Sequence, residues 1–207
     1  MTVEGHGEPD VRLQTPQVVD LAEDLARYVL QEHPERIEHT EGVAERAKLL
    51  TAAVPDAEAP LLVAAAWLHD IGYAETVRRT GFHPLDGALV LLEMGWPLEV
   101  ASLVAHHSGA RYVAAVRDLQ DPLSAFPFVD GALSDAVTVA DQTAGPHGVA
   151  MSISARMDDM LARHGDDSPN ARAHERRRPY LLAAAARVAE RLERAGIPAD
   201  RQGIYAG

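Results

Sequence analysis

Eight consecutive apolar residues, Leu61-Leu62-Val63-Ala64-Ala65-Ala66-Trp67-Leu68, run directly into His69-Asp70. A helix built from that run has no polar face to give to water, so it must be buried. Its end then carries an imidazole and a carboxylate into the interior. Buried charge is strongly disfavoured unless it is paired or bound to a metal ion. Whatever fold the chain adopts must therefore bring partners to this point. His39 upstream and His83, His106, His107 and Asp141 downstream can serve. All are nitrogen and oxygen donors, which suit iron, manganese, nickel, cobalt or zinc better than copper(I). The pattern points to a metal site with a hydrolytic or oxidative role.

The spacing of apolar residues predicts helices nearly throughout, hence an all-α fold. Val18, Val19, Leu21, Ala22, Leu25, Tyr28 and Val29 mark one face. A second helix follows from Thr40 through Val43, Ala44 and Ala47, which places His39 at its start. Ala59-Pro60 opens the buried run, and Gly72 follows it as a helix stop. Pro84 and Pro97 open two more helices, the second ending at His106-His107. Asp130 is placed to cap a helix that ends at Asp141. Helices over about Ser152–Arg163 and from Pro169 to Gly196, the latter interrupted or kinked at Pro179, complete the chain. The expected organisation is a flexible N-terminus over 1–15, one helical domain over 16–196 and a tail over 197–207. Within that domain the core motifs span 36–145 and the C-terminal helices 152–196.

Composition removes several classes of function. The chain has no cysteine, which excludes disulfides, zinc–thiolate sites, iron–sulfur clusters and cysteine nucleophiles. A net charge of −12 argues against general nucleic-acid binding. The sole lysine, Lys48, follows Ala47 rather than glycine, so no phosphate-binding P-loop exists. The polar N-terminus lacks the pattern of a signal peptide, and no run is long enough to span a bilayer. A cytoplasmic, non-membrane protein is expected, with a homo-oligomer compatible with the sequence.

The donors sit in a recognisable order. Arg36-x-x-His39-Thr40 precedes Ala66-Trp67-Leu68-His69-Asp70-Ile71-Gly72. His83-Pro84-x-x-Gly87-Ala88, Val104-x-His106-His107-Ser108-Gly109 and Ala140-Asp141 follow. This set resembles the HD-domain superfamily of metal-dependent phosphohydrolases, and in particular its binuclear branch. The resemblance implies an all-α bundle with one or two divalent transition metal ions in a central cleft. It implies one ion held by His39, His69, Asp70 and Asp141. Asp70, the central catalytic carboxylate, would bridge to a second ion held by His83 and by His106 or His107. His106 is favoured, because His106-His107-Ser108-Gly109 resembles the His-Thr-Thr-Gly segment of those hydrolases. His107 then faces substrate, as a second catalytic residue, or supports the ligands.

Arg36 and Arg111 are the candidate phosphate contacts, since guanidinium bonds phosphate bidentately. Arg78 and Arg79 are weaker candidates. His6, His33, His147, His164 and His174 read as solvated, as do Arg172 and Arg176-Arg177-Arg178. Tyr73 reads as a boundary aromatic, standing where related phosphohydrolases carry a lysine. The expected substrate is a small phosphorylated molecule, foremost a nucleotide. A di-iron oxygenase on the same ligands and a non-catalytic ligand sensor are the alternatives.

Overall fold

The computed structural model describes residues 15–204. The helical period becomes α1 (Thr15–Val29), α2 (Pro34–Leu49), α3 (Ala59–Leu68), α4 (His83–Glu93), α5 (Leu98–His106), α6 (Ala110–Val116), α7 (Gln120–Leu123), α8 (Ala132–Gln142), α9 (Ile153–His164) and α10 (Pro169–Arg194). Among the described residues β pairing is confined to an isolated bridge between Ala144 and Ala150. The architecture is all-α. The expected N-terminal segment falls almost wholly outside the described residues.

Local chemistry sets most helix starts. Pro34, Pro60, Pro84 and Pro169 each occupy a first turn, where the missing N–H costs nothing. Ser152 and Ser168 cap α9 and α10 by accepting from the N–H groups of Ala155 and Ala171. Two starts differ from expectation. Pro34 opens α2 before Thr40, so His39 lies inside that helix rather than at its beginning. Helix α8 starts at Ala132 after Gly131 and has no side-chain cap, so Asp130 does not serve as one.

The apolar run forms α3, which is buried from Leu62 onward and packs against α1, α2, α5 and α8. Small residues on the neighbours, including Ala22, Ala26, Ala44 and Ala47, let the helices approach closely. Each fully buried leucine, such as Leu62, Leu68 and Leu85, contributes about 1.5–3 kcal/mol of hydrophobic stabilisation. Helix α10 runs unbroken through Pro179 to Arg194. It docks on α8 through Asp135, a buried carboxylate that accepts from Arg187 Nε at 2.9 Å and Arg191 Nη1 at 2.8 Å. Beyond α10 the chain returns to the domain: Ile204 is fully buried and its carbonyl accepts from Ile153 N.

Close approach at Gly72 sets the middle of the molecule. A Cβ there would lie 2.1 Å from the His83 carbonyl oxygen and 2.7 Å from Gly87 N. Only glycine lets the His69–Gly72 segment lie directly against the first turn of α4, which brings His83 to Asp70. The loop before α4 is fastened by buried Asp86, which accepts from Thr80 N, Thr80 Oγ1 and Gly81 N at 2.7–2.9 Å. Among the described residues no helix is long and apolar enough to cross a membrane.

Candidate metal centre

Asp70 stands at the end of the buried run, 3% exposed, with histidines on several sides. Its Oδ1 lies 3.5 Å from His69 Nε2, 3.3 Å from His83 Nε2 and 4.0 Å from His107 Nε2. Its Oδ2 lies 3.8 Å from His39 Nε2 and accepts from Arg36 Nη1 at 3.0 Å. One carboxylate thus addresses two groups of donors, His39–His69–Asp70 and Asp70–His83–His107, each compact enough to hold a metal ion. Asp141, in the last turn of α8, extends the first group: its Oδ1 is 3.2 Å from His39 Nε2 and 3.9 Å from His69 Nε2.

The backbone orients three of the imidazoles. His39 Nδ1 bonds Gly145 O at 3.0 Å, His69 Nδ1 bonds Ala66 O at 2.7 Å, and His107 Nδ1 bonds Val104 O at 2.6 Å. A carbonyl only accepts, so each Nδ1 carries the hydrogen and each Nε2 faces the centre. The inward atoms then crowd: His83 Nε2 and His107 Nε2 are 3.2 Å apart, and His69 Nε2 is buried with no hydrogen-bond partner. His39 Nε2 faces Asp141 Oδ1 at 3.2 Å with its ring hydrogen on Nδ1, two acceptors that a further proton or a metal ion between them reconciles. The donor set fits divalent transition metal ions of the borderline kind.

Electrostatics agree. Burial lowers His69 to about 4, against the pull of Asp70 and Asp141. Burial also drives His83 well below the ordinary imidazole range. Burial alone would raise Asp70, yet the imidazoles of His69 and His83 and the Arg36 guanidinium hold it well below the carboxylate range. Asp141 is held low in the same way, by His39 and His69 against its burial. Neutral imidazoles beside ionised carboxylates are the protonation states that ligation needs.

Supporting contacts complete the centre. Ser108 Oγ donates to Asp141 Oδ2, and Gln142 Nε2 donates to the same oxygen at 3.0 Å, leaving Oδ1 inward. Tyr73 stacks on His83 at 4.0 Å between ring centroids, and the Arg36 guanidinium lies over the Tyr73 ring, 4.1 Å from its centroid. Tyr73 is therefore part of the cleft and steadies the His83 ring, rather than a boundary aromatic.

The structure separates the two adjacent histidines and corrects the expectation for His106. Helix α5 ends at His106, and His107 turns to extended geometry with φ −54° and ψ 150°. Ser108 and Gly109 then take positive φ, 51° and 67°, and reverse the chain. His107 consequently joins the donors. His106 points away: its Nε2 donates to Phe126 O at 2.7 Å and its ring packs edge-on against Phe128. The register expectation treated both residues as helical, and only the first is. Arg111 is likewise not at the cleft. Its guanidinium lies 4.0 Å from the Phe128 ring centroid, 4.5 Å from that of Tyr180 and 5.0 Å from that of Tyr112.

Sequence reasoning missed Arg156 and Arg177, which line the same cleft as Arg36, His39, Asp70 and His107. Arg177 is buried, whereas Arg172, Arg176 and Arg178 around it are exposed as expected. A signal was present: Ala173, Arg177, Leu181, Ala184 and Val188 form the buried stripe of α10, so Arg177 is a charge at an apolar helical position. His164, read as solvated, is exposed but also borders the cleft.

A family model for the HD domain matches residues 36–195, a range that contains every donor of the centre together with α9 and α10. No curated relative and no solved structure matches the chain.

Proposed function

The chain belongs to the HD-domain family, which is of metal-dependent hydrolase type, and on that footing we propose that it is a phosphohydrolase acting on a small phosphorylated molecule, foremost a nucleotide. The observation that carries the reading is the convergence of imidazole Nε2 atoms on two buried carboxylates, with His69 Nε2 left without a partner. In this reading His39, His69, Asp70 and Asp141 hold one divalent ion, and Asp70, His83 and His107 hold a second. When bound, such ions supply Lewis acidity toward phosphoryl oxygens and acidify water at neutral pH.

The chain's own groups do the rest. Backbone carbonyls of Gly145, Ala66 and Val104 keep the imidazoles aimed inward. Arg36 keeps Asp70 ionised and places a guanidinium at the cleft, where it can meet an anionic oxygen. Arginines lining the cleft make its local charge positive although the whole chain carries −12. Local field, rather than net charge, governs capture of a small anion.

Metal-loaded protein incubated with phosphate esters and nucleotides, inside and outside an anaerobic chamber, tests this. Phosphate release that persists without oxygen is the expected result. Oxygen uptake coupled to substrate loss, with no phosphate released, would replace the reading with a di-iron oxygenase on the same ligands.

A further inference from the structure

Arg177 is 8% exposed, lines the metal-centre cleft, and forms no ion pair among the described residues. Its Nε donates to the Ser108 carbonyl at 2.6 Å. A guanidinium carries five N–H donors, so this bond leaves most of its donor capacity unused, and no carboxylate closes on its charge. Two partly exposed arginines of the same helix behave differently: Arg187 and Arg191 close on the buried carboxylate of Asp135. Holding a carbonyl requires only a neutral donor, so a structural role for Arg177 explains its Nε and not its charge. Burial pulls its pKa down, against the pull of Asp141.

Arg156, from α9, adds a second unfinished guanidinium to the cleft. Its Nη1 donates to Asp159 at 3.2 Å and its Nη2 is 3.9 Å from Asp141 Oδ1, while its buried Nε has no partner. The tether of Arg177 is Ser108, the residue after His107, and Ser108 in turn holds Asp141. Arg177 is therefore fastened beside both halves of the donor cluster, and Arg156 borders Asp141. An anion resting on these two guanidiniums would adjoin a phosphoryl group at the metal centre.

We propose that Arg177 and Arg156 form a second phosphate subsite, and that the substrate carries at least two linked phosphates, a phosphoanhydride rather than a simple monoester. The assignment rests on the phosphohydrolase reading and names the substrate class of that site. Hydrolysis forms one P–O bond to water and breaks the P–O bond to the bridging oxygen. The departing phosphate takes the electron pair and is held as an anion by the two guanidiniums. The hydrogens of the water pass to the two product phosphates, with any excess proton released to solvent.

The experiment compares inorganic pyrophosphate with orthophosphate as probes. Calorimetric affinity is measured on metal-free full-length protein in chelator, and hydrolysis of pyrophosphate, a nucleoside triphosphate and p-nitrophenyl phosphate on manganese-loaded protein. The wild type is expected to bind pyrophosphate more tightly than orthophosphate. Arg177→Met and Arg156→Gln, separately, are each expected to cut pyrophosphate affinity by about tenfold or more, the loss of a good bidentate contact. Orthophosphate, which in metal-free protein has the same guanidiniums to meet, is expected to bind weakly and to weaken further in both variants, and the melting temperature without anion is expected to hold or rise. Lost pyrophosphate preference with no hydrolysis of any substrate would sustain the subsite and remove the phosphohydrolase reading. Hydrolysis of monoesters with pyrophosphate affinity unchanged in both variants would do the reverse and overturn the subsite. A lower melting temperature with unchanged affinity in Arg177→Met would assign that residue to holding Ser108 alone. Should that variant fail to fold, Arg156→Gln decides by the same measurement.

Discussion

The two sides of the cleft are built by different means. Half of the donor side is aimed by short-range structure: His69 and His107 each bond a carbonyl three residues earlier, whereas His39 bonds the distant Gly145 carbonyl. The arginine side is aimed by docking. Arg156 and Arg177 reach the cleft because α9 and α10 pack on α8, with Asp135 gripping Arg187 and Arg191 far along the helix. The contrast separates chemistry from selectivity. On the proposed reading, the segments from α2 to α8 would carry the metal donors, and the two helices after them the charges that would choose an anion. Damage to the first should abolish the reaction, and damage to the second should change what is bound.

The largest expected effect is Asp70→Ala. It removes the carboxylate that faces both donor groups and leaves Arg36, His83 and His107 without an anion. Metal content by elemental analysis should fall for both sites. The activity loss should exceed the ~10–100-fold typical of losing an outer partner of a ligand. Retention of two ions per chain in this variant would show that Asp70 is not shared between them.

Next in size is the pair His107→Ala and His106→Ala, neighbours with opposite surroundings. His107→Ala should lose the second ion and most activity. His106→Ala should keep its metal and instead lose stability, by about 1–3 kcal/mol, because the buried Phe126 carbonyl is left without a donor. Denaturant melts alongside metal analysis distinguish the two, and the opposite order would return the ligand role to His106.

On the arginine side, Asp135→Asn should weaken the grip of α8 on α10. The paired arginines are partly exposed, so solvent screening limits the loss to about 1–2 kcal/mol. Metal stoichiometry should stay at the wild-type value while discrimination between pyrophosphate and orthophosphate declines. If metal is lost in step with discrimination, the two sides are not independent.

The smallest effect belongs to Ser152→Ala, which deletes the cap of α9 and should cost about 0.5–2 kcal/mol. Hydrogen exchange confined to the first turn of α9, with a modest weakening of pyrophosphate binding through Arg156, is the expected result. Unchanged exchange there would mean that packing, not the cap, holds Arg156 in place.

Much of the donor side was legible beforehand. An apolar run ending in His69-Asp70 demanded partners, and His39, His83 and Asp141 were the available groups in an order that resembles one family. Gly72 was readable as a helix stop, though its tighter role, admitting the first turn of α4, needed the neighbouring helix to be present. Arg36 was placed at the cleft, whereas Arg111 was not, because the ring of its neighbour Tyr112 and those of Phe128 and Tyr180 from other segments take its guanidinium. Arg177 was hidden in a cluster of arginines whose other members face solvent.

By itself the sequence determined the all-α class, the helix starts at Pro60, Pro84 and Pro169, and the donor types. These follow from burial of periodic apolar residues and from local backbone geometry, which need no distant contact. Tertiary structure decided which of His106 and His107 turns inward, which arginine is buried unpaired, and where the chain beyond α10 comes to rest. Each depends on where a helix ends against its neighbours. A one-residue change in that end point rotates a side chain from one surrounding to another, and packing between segments far apart in the chain sets it.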